Sequence, residues 1–176
     1  MKKVLLVIIL FFCNYGNAYS KELFGISLDK SYLKQNLNIK EEFANLYENK
    51  SIRTYGLLHK HEALNFDGVQ YFIDVWNEND AVIKIIIYTS NILNPLTKDE
   101  CSDQLDWYFE YINKINPKAT TEKKLFLYNF RYEFYWSSGN DPKGYVLSVD
   151  CHEGNEASYY LSFQFTSPIF DIATQN

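Results

Sequence analysis

An α+β domain, with helices packed on one face of antiparallel sheet, follows from three features of the 176-residue sequence. Short runs rich in β-branched and aromatic residues alternate apolar and polar side chains with a period of two. One long stretch near the middle carries its apolar residues at helical spacing. Clusters of Asn, Asp, Gly and Pro separate the runs at intervals that suit hairpins. With 47% hydrophobic and 18% aromatic residues the chain can bury a core, and 7 Gly and 4 Pro are too few for a low-complexity or collagen-like polymer.

The chain opens on Lys2-Lys3, the apolar run Val4 to Phe12, and the small-residue site Gly16-Asn17-Ala18. Basic, apolar and small-residue regions in that order form a bacterial Sec-type signal peptide over 1–18. The apolar run is too short for a membrane anchor, which needs about 20 residues. Leu10-Phe11-Phe12 before Cys13 does not supply the small residues that lipidation requires. The expected mature chain, 19–176, is a single domain of the periplasm or the medium, with no integral membrane segment after cleavage. Removing 1–18 takes two Lys and no acid from 17 basic and 22 acidic residues, so the mature net charge is −7. An acidic chain with only two Arg lacks the footprint of a nucleic-acid binder.

Leu28 to Leu37 reads as a short helix. Asn38 and Glu41 then have capping-box spacing, with Ile39, Phe43, Leu46 and Tyr47 at helical intervals, so a second helix is expected to about Glu48. Strands are expected over Ile52 to Lys60, Val69 to Trp76 and Ala81 to Tyr88. Asp99 to Ile115 is the clearest helix, with Cys101, Leu105, Tyr108, Phe109, Ile112 and Ile115 on one stripe, ended by Asn116-Pro117. Strands follow over Lys124 to Trp136, Gly144 to Cys151 and Ala157 to Thr166. The order suggests two tandem α-β-β-β units, about 22–92 and 95–167.

Within the last three strands the alternation separates two faces. Phe126, Tyr128, Phe130, Tyr132, Phe134 and Trp136 share one side with Tyr145, Leu147, Val149 and Cys151, and with Tyr159, Leu161, Phe163 and Phe165. Cys151 therefore points to the core, as Cys101 does from the helix stripe. Once Cys13 is removed these two are the remaining cysteines, and an oxidising compartment makes them a disulfide. The opposite face collects Asn129, Arg131, Glu133, Tyr135, Ser148, Asp150, His152, Tyr160, Ser162 and Gln164. Of these, Arg131, Glu133, Tyr135, Asp150, His152 and Tyr160 are the candidate contact residues, because Arg and Tyr are enriched where proteins meet.

The helix-then-meander order, and the opening Phe24-Gly25-Ile26-Ser27-Leu28-Asp29, resemble the SmpA-like envelope lipoproteins and the tandem-repeat β-lactamase-inhibitor proteins. Asp29 stands where those domains carry Gly. The resemblance spans about 22–167 and implies a protein-binding role. It transfers no functional residue.

Catalytic and cofactor chemistry finds little support. His59 and His61 have the i, i+2 spacing of a metal pair on a strand but need a third ligand, and His152 lies in another strand pair. Ser148, Asp150 and His152 stand side by side on one strand, not in a nucleophile-base-orienter arrangement, and no G-x-S-x-G elbow occurs. Scattered glycines form no phosphate cradle. No metal, cofactor or enzymatic activity is expected. Two functional classes remain. One is an exported module of inhibitor, immunity or envelope-assembly type that binds a protein through the polar sheet face. The other is a binder of a sugar or lipid in an aromatic-lined groove, which an open Trp76 or Trp107 ring would favour.

Overall fold

The computed structural model describes residues 21–43, 51–90, 92–115, 120–125, 129–136, 144–154 and 158–175. The expected signal segment, positions 44–48 of the expected second helix, and Phe126 and Tyr128 lie outside them.

Among the described residues, ten strands and two α-helices follow in chain order. They are β1 (Glu22–Leu23), β2 (Ile26–Ser27), β3 (Ile39–Phe43), β4 (Ile52–Leu57), β5 (Gln70–Trp76), β6 (Ala81–Tyr88), α1 (Lys98–Ile115), β7 (Thr120–Leu125), β8 (Asn129–Trp136), β9 (Tyr145–Glu153), β10 (Tyr159–Thr166) and α2 (Ile169–Gln175). β1 and β2 form a small hairpin. The other eight strands form one antiparallel sheet in the order β3-β4-β5-β6-β10-β9-β8-β7. Two four-stranded meanders, one from each half, thus meet through their last strands, with Ser162 opposite Tyr88 and Phe165 opposite Ile85. The meanders form one continuous sheet.

The α+β class stands, but the repeat is β-β-β-β in each half, and α1 belongs to the second half alone. The helix expected over Leu28–Leu37 is a single 3₁₀ turn at Tyr32–Lys34. Asp29 and Asn36 take positive φ of 59° and 53° at its two ends, which interrupts a right-handed helix. The segment's backbone is spent instead on the start of β6, through Asp29 N–H to Val82 O at 2.8 Å and Val82 N–H to Lys30 O at 3.0 Å. The start of the expected second helix is β3. Pairing with β4 overrides local helical spacing there, as sheet neighbours commonly do. The helix-loop-helix behind the family resemblance is therefore not formed by residues 28–43. The run expected as one strand from Lys124 divides into β7 and β8, which pair as a hairpin. The β1–β2 hairpin and α2 were not anticipated.

α1 starts one residue earlier than its apolar stripe indicates, because Thr97 and Glu100 form a capping box. Glu100 N–H donates to Thr97 Oγ1 at 3.2 Å, and Thr97 N–H donates to Glu100 Oε2 at 2.8 Å. The Thr97 N–H and hydroxyl both donate to Glu100 Oε2 and hold its carboxyl below its usual range. The stripe packs Cys101, Leu105, Tyr108 and Ile112 against Val149, Cys151, Leu161 and Phe163. Cys101 and Cys151 are fully buried and joined as a disulfide, with Cα atoms 6.0 Å apart. Among the described residues no helix is long and apolar enough to cross a membrane.

α2 lies on the other side of the sheet. A bulge between β5 and β6 pairs Asp74 with Lys84 and Val75 with Val82, leaving Ile83 as the extra residue. Ile83 joins Ile52 and Ala173 in a small second core, with Trp76, Ile169 and Phe170 packed around it. α1 and α2 therefore occupy opposite faces, and α2 covers only one end of its face.

Candidate functional site

Strand alternation and the observed register define the face opposite α1. Gln70, Tyr88, Ser162, Asp150 and Arg131 form one row across five strands. Phe72, Ile86, Gln164, Ser148 and Glu133 form the next. Tyr160, His152 and Asn129 form a shorter row beside them. All six candidate contact residues therefore map to one face, with Glu133 opposite Ser148 and Tyr135 opposite Val146; the side chains of these two lie outside the described residues.

Several polar groups of this face are buried and hydrogen-bonded beneath its surface. Asp150 is fully buried, and Arg131 Nε donates to its Oδ1. Its Oδ2 is buried with no hydrogen-bond partner among the described residues, so Asp150 holds Arg131 in place and is not itself a surface contact. Ser162, also fully buried, lies with its Oγ 2.8 Å from His152 Nε2. Across the sheet, Thr54 Oγ1 donates to Asp74 Oδ1 at 2.7 Å, both residues buried. Lys84, register partner of Asp74, has its pKa lowered by burial, an effect that the Asp74 charge opposes. Its ammonium lies 4.9 Å from the Phe170 ring centre on α2.

The rings are what the face offers outward. Phe43, Phe72, Tyr88, Tyr160 and His152 are all half-buried. Phe43 meets Phe72 edge-on at 5.3 Å between centroids, Phe72 meets Tyr88 at 6.1 Å, Tyr88 meets Tyr160 at 6.5 Å, and Tyr160 stacks on His152 at 5.2 Å. This file crosses both meanders. Gly56 makes room for it, since a Cβ there would lie 2.8 Å from the Phe43 ring. Alternation in the C-terminal strands points to Tyr160 and His152; Phe43, Phe72 and Tyr88 join them only through the sheet, although the alternation of Phe72, Asp74 and Trp76 with Tyr71, Ile73 and Val75 carries the same signal.

Ser162 and His152 are in contact with the Ser162 hydroxyl fully buried, and the Asp150 carboxylate opposite Ser162 is held by Arg131. The sheet edge at β3 carries exposed Lys40, Glu41 and Glu42, which discourages strand addition.

His152 has a measurable consequence. Burial lowers its pKa below 6.5, with Asp150 acting upward and Arg131 downward. A depressed folded-state pKa means that the unfolded chain binds the proton more readily, so the contribution of neutral His152 is present above about pH 6.5 and is lost as pH falls through the folded-state value. The urea midpoint of the wild type is expected to fall more between pH 7.5 and 5.5 than that of His152→Gln. Equal falls in the two proteins would show that His152 does not set the pH dependence.

The other sequence candidates lie elsewhere. His59 Nε2 donates to Phe24 O at 2.8 Å, and His61 Nδ1 accepts the Ala63 N–H at 3.1 Å. The bond to His61 places its proton on Nε2 in the neutral ring. His59 and His61 brace the β1–β2 hairpin, and among the described residues no group of three or more His, Cys, Asp or Glu is placed to hold a metal ion. Both histidines line a cavity of about 820 Å³ formed by residues of the 57–71 segment. Trp76 is half-buried beside α2, with its indole N–H buried and without a hydrogen-bond partner among the described residues. Trp107 on α1 is open, with 51% of its surface exposed.

The chain matches no family model, no curated protein and no solved structure.

Proposed function

We propose that the protein is an exported, non-enzymatic module that binds a protein partner through the sheet face opposite α1. The observation that carries this reading is the file of five half-buried rings across the joined meanders, flanked by Arg131, Gln70 and Gln164. Aromatic rings give contact area at small entropic cost, and the Arg131–Asp150 ion pair beside them holds Arg131 in place at the rim of the file. The disulfide supports export to an oxidising compartment. The mature charge of −7 favours a basic partner by steering its approach. An inhibitor, an immunity protein or an envelope-assembly factor would each use such a face.

The test is affinity capture with oxidised protein of residues 19–176 from an envelope or culture extract of the source organism, beside a Phe72→Ala/Tyr160→Ala variant with native near-ultraviolet circular dichroism. Arg131 is left intact, because removing it would strand the buried Asp150 charge and destabilise the sheet itself. One protein retained by the wild type, and bound at least about 100-fold more weakly by the variant, is the expected result. Equal retention by both baits, or none by either, would overturn the proposal.

A further inference from the structure

The open Trp107 ring belongs to a second arrangement, on the α1 side of the molecule. Tyr111, one helical turn on, stacks against the indole with centroids 5.4 Å apart and planes 11° from parallel. Tyr111 in turn stacks over Phe24 at 6.4 Å and 17°, and Phe24 meets the His61 ring at 5.3 Å. The rings therefore lead from the helix surface to the lip of the 820 Å³ cavity that His61 lines. Tyr108 fixes the junction, donating its hydroxyl to Ala63 O at 2.8 Å while its ring meets Trp107 edge-on at 4.7 Å.

We infer that this platform and cavity form a carbohydrate-binding site, separate from the sheet face and independent of the proposal made for it. Tyr111 backs one face of the indole, and the exposed half of Trp107 supplies a flat, electron-rich surface for the C–H face of a sugar ring. The cavity provides the complementary chemistry. Its lining sets Lys60 and Asn65, which can donate hydrogen bonds, and Glu62 and Asp67, which can accept them, among the apolar side chains of Leu57, Leu58, Leu64, Phe66, Val69 and Tyr71. Sugar hydroxyls donate and accept at once and match such a mixed lining. A lipid chain would call for a continuous apolar lining, and a phosphate would meet Glu62 and Asp67. The volume lies within the range of small-ligand sites.

Oxidised protein of residues 19–176 is applied to an immobilised array of maltose, cello-, chito- and peptidoglycan-derived oligosaccharides, and any hit is titrated by isothermal titration calorimetry. Trp107→Ala and Asn65→Ala, both at exposed positions, are run beside the Phe72→Ala/Tyr160→Ala variant. The expected result is binding of at least one series, weakened about tenfold or more by Trp107→Ala and by Asn65→Ala and unchanged in the sheet-face variant. No retained oligosaccharide, or one bound equally by wild type and Trp107→Ala, would overturn the inference.

Discussion

Replacing Cys101 and Cys151 together by Ala is expected to lower stability by about 4 kcal/mol and the melting temperature by on the order of 10 °C. The bridge spans 50 residues, including most of α1 and all of β7 and β8, so in the unfolded chain it closes a long loop. In the folded chain it ties the first turn of α1 to β9 beneath the same apolar cluster. Ala is the informative replacement, since both sites are fully buried and a Ser hydroxyl there would add a desolvation cost. Thermal unfolding of the double variant, beside the wild type with and without reductant, checks this. A melting temperature within about 2 °C of the oxidised wild type would contradict it.

Truncating Phe24 is expected to be almost as costly, in an order opposite to the usual one. Leu23-Phe24-Gly25-Ile26 is a two-residue hairpin turn in which Phe24 and Gly25 have φ of 47° and 83°. This is the positive-φ geometry of a tight β-hairpin, and a bulky residue adopts it only under constraint. The constraint is packing: Phe24 is 5% exposed among the rings of His61, Tyr108, Tyr111 and Phe163, and its carbonyl accepts the His59 N–H. Phe24→Ala loses those contacts and keeps the strained backbone, for a loss of about 3–5 kcal/mol. Phe24→Gly loses the same contacts but releases the strain, and is expected to be the milder by about 1 kcal/mol. Urea unfolding of the two variants decides the point. Gly proving worse than Ala would show that the turn is not held against its own preference.

The parts of the fold that were legible are those where one periodicity dominates. α1 was clear because its stripe is continuous and Pro117 follows it, and the strands around β5, β6, β9 and β10 were clear because their alternation is unbroken. The Cys101–Cys151 bridge followed from the same two patterns. Residues 28–43 were misread because Ile39 and Phe43 satisfy helical spacing, whereas the partners that decide the matter, Val82 and the β4 backbone, are distant in sequence. Asp29 shows how such a segment is fixed. It holds a positive φ where the resembling domains carry Gly, and its carboxylate accepts hydrogen bonds from Lys21, Tyr145 and Ser167, which no local pattern reveals. The candidate face was half legible. Its C-terminal strands were assigned to the correct side, but the junction of β6 with β10 brought in Phe72 and Tyr88, and burial changed Asp150 from a contact into a support.

The most direct test of the proposed sheet-face role is hydroxyl-radical footprinting of oxidised protein of residues 19–176 in buffer and in extract from the source organism, read by mass spectrometry at Phe72, Tyr88 and Tyr160, with exposed Leu33 as the reference. Protection of the three rings in extract, with Leu33 unchanged, is the result expected if a partner occupies the face. Unchanged labelling of all three rings in every envelope and culture fraction would contradict it.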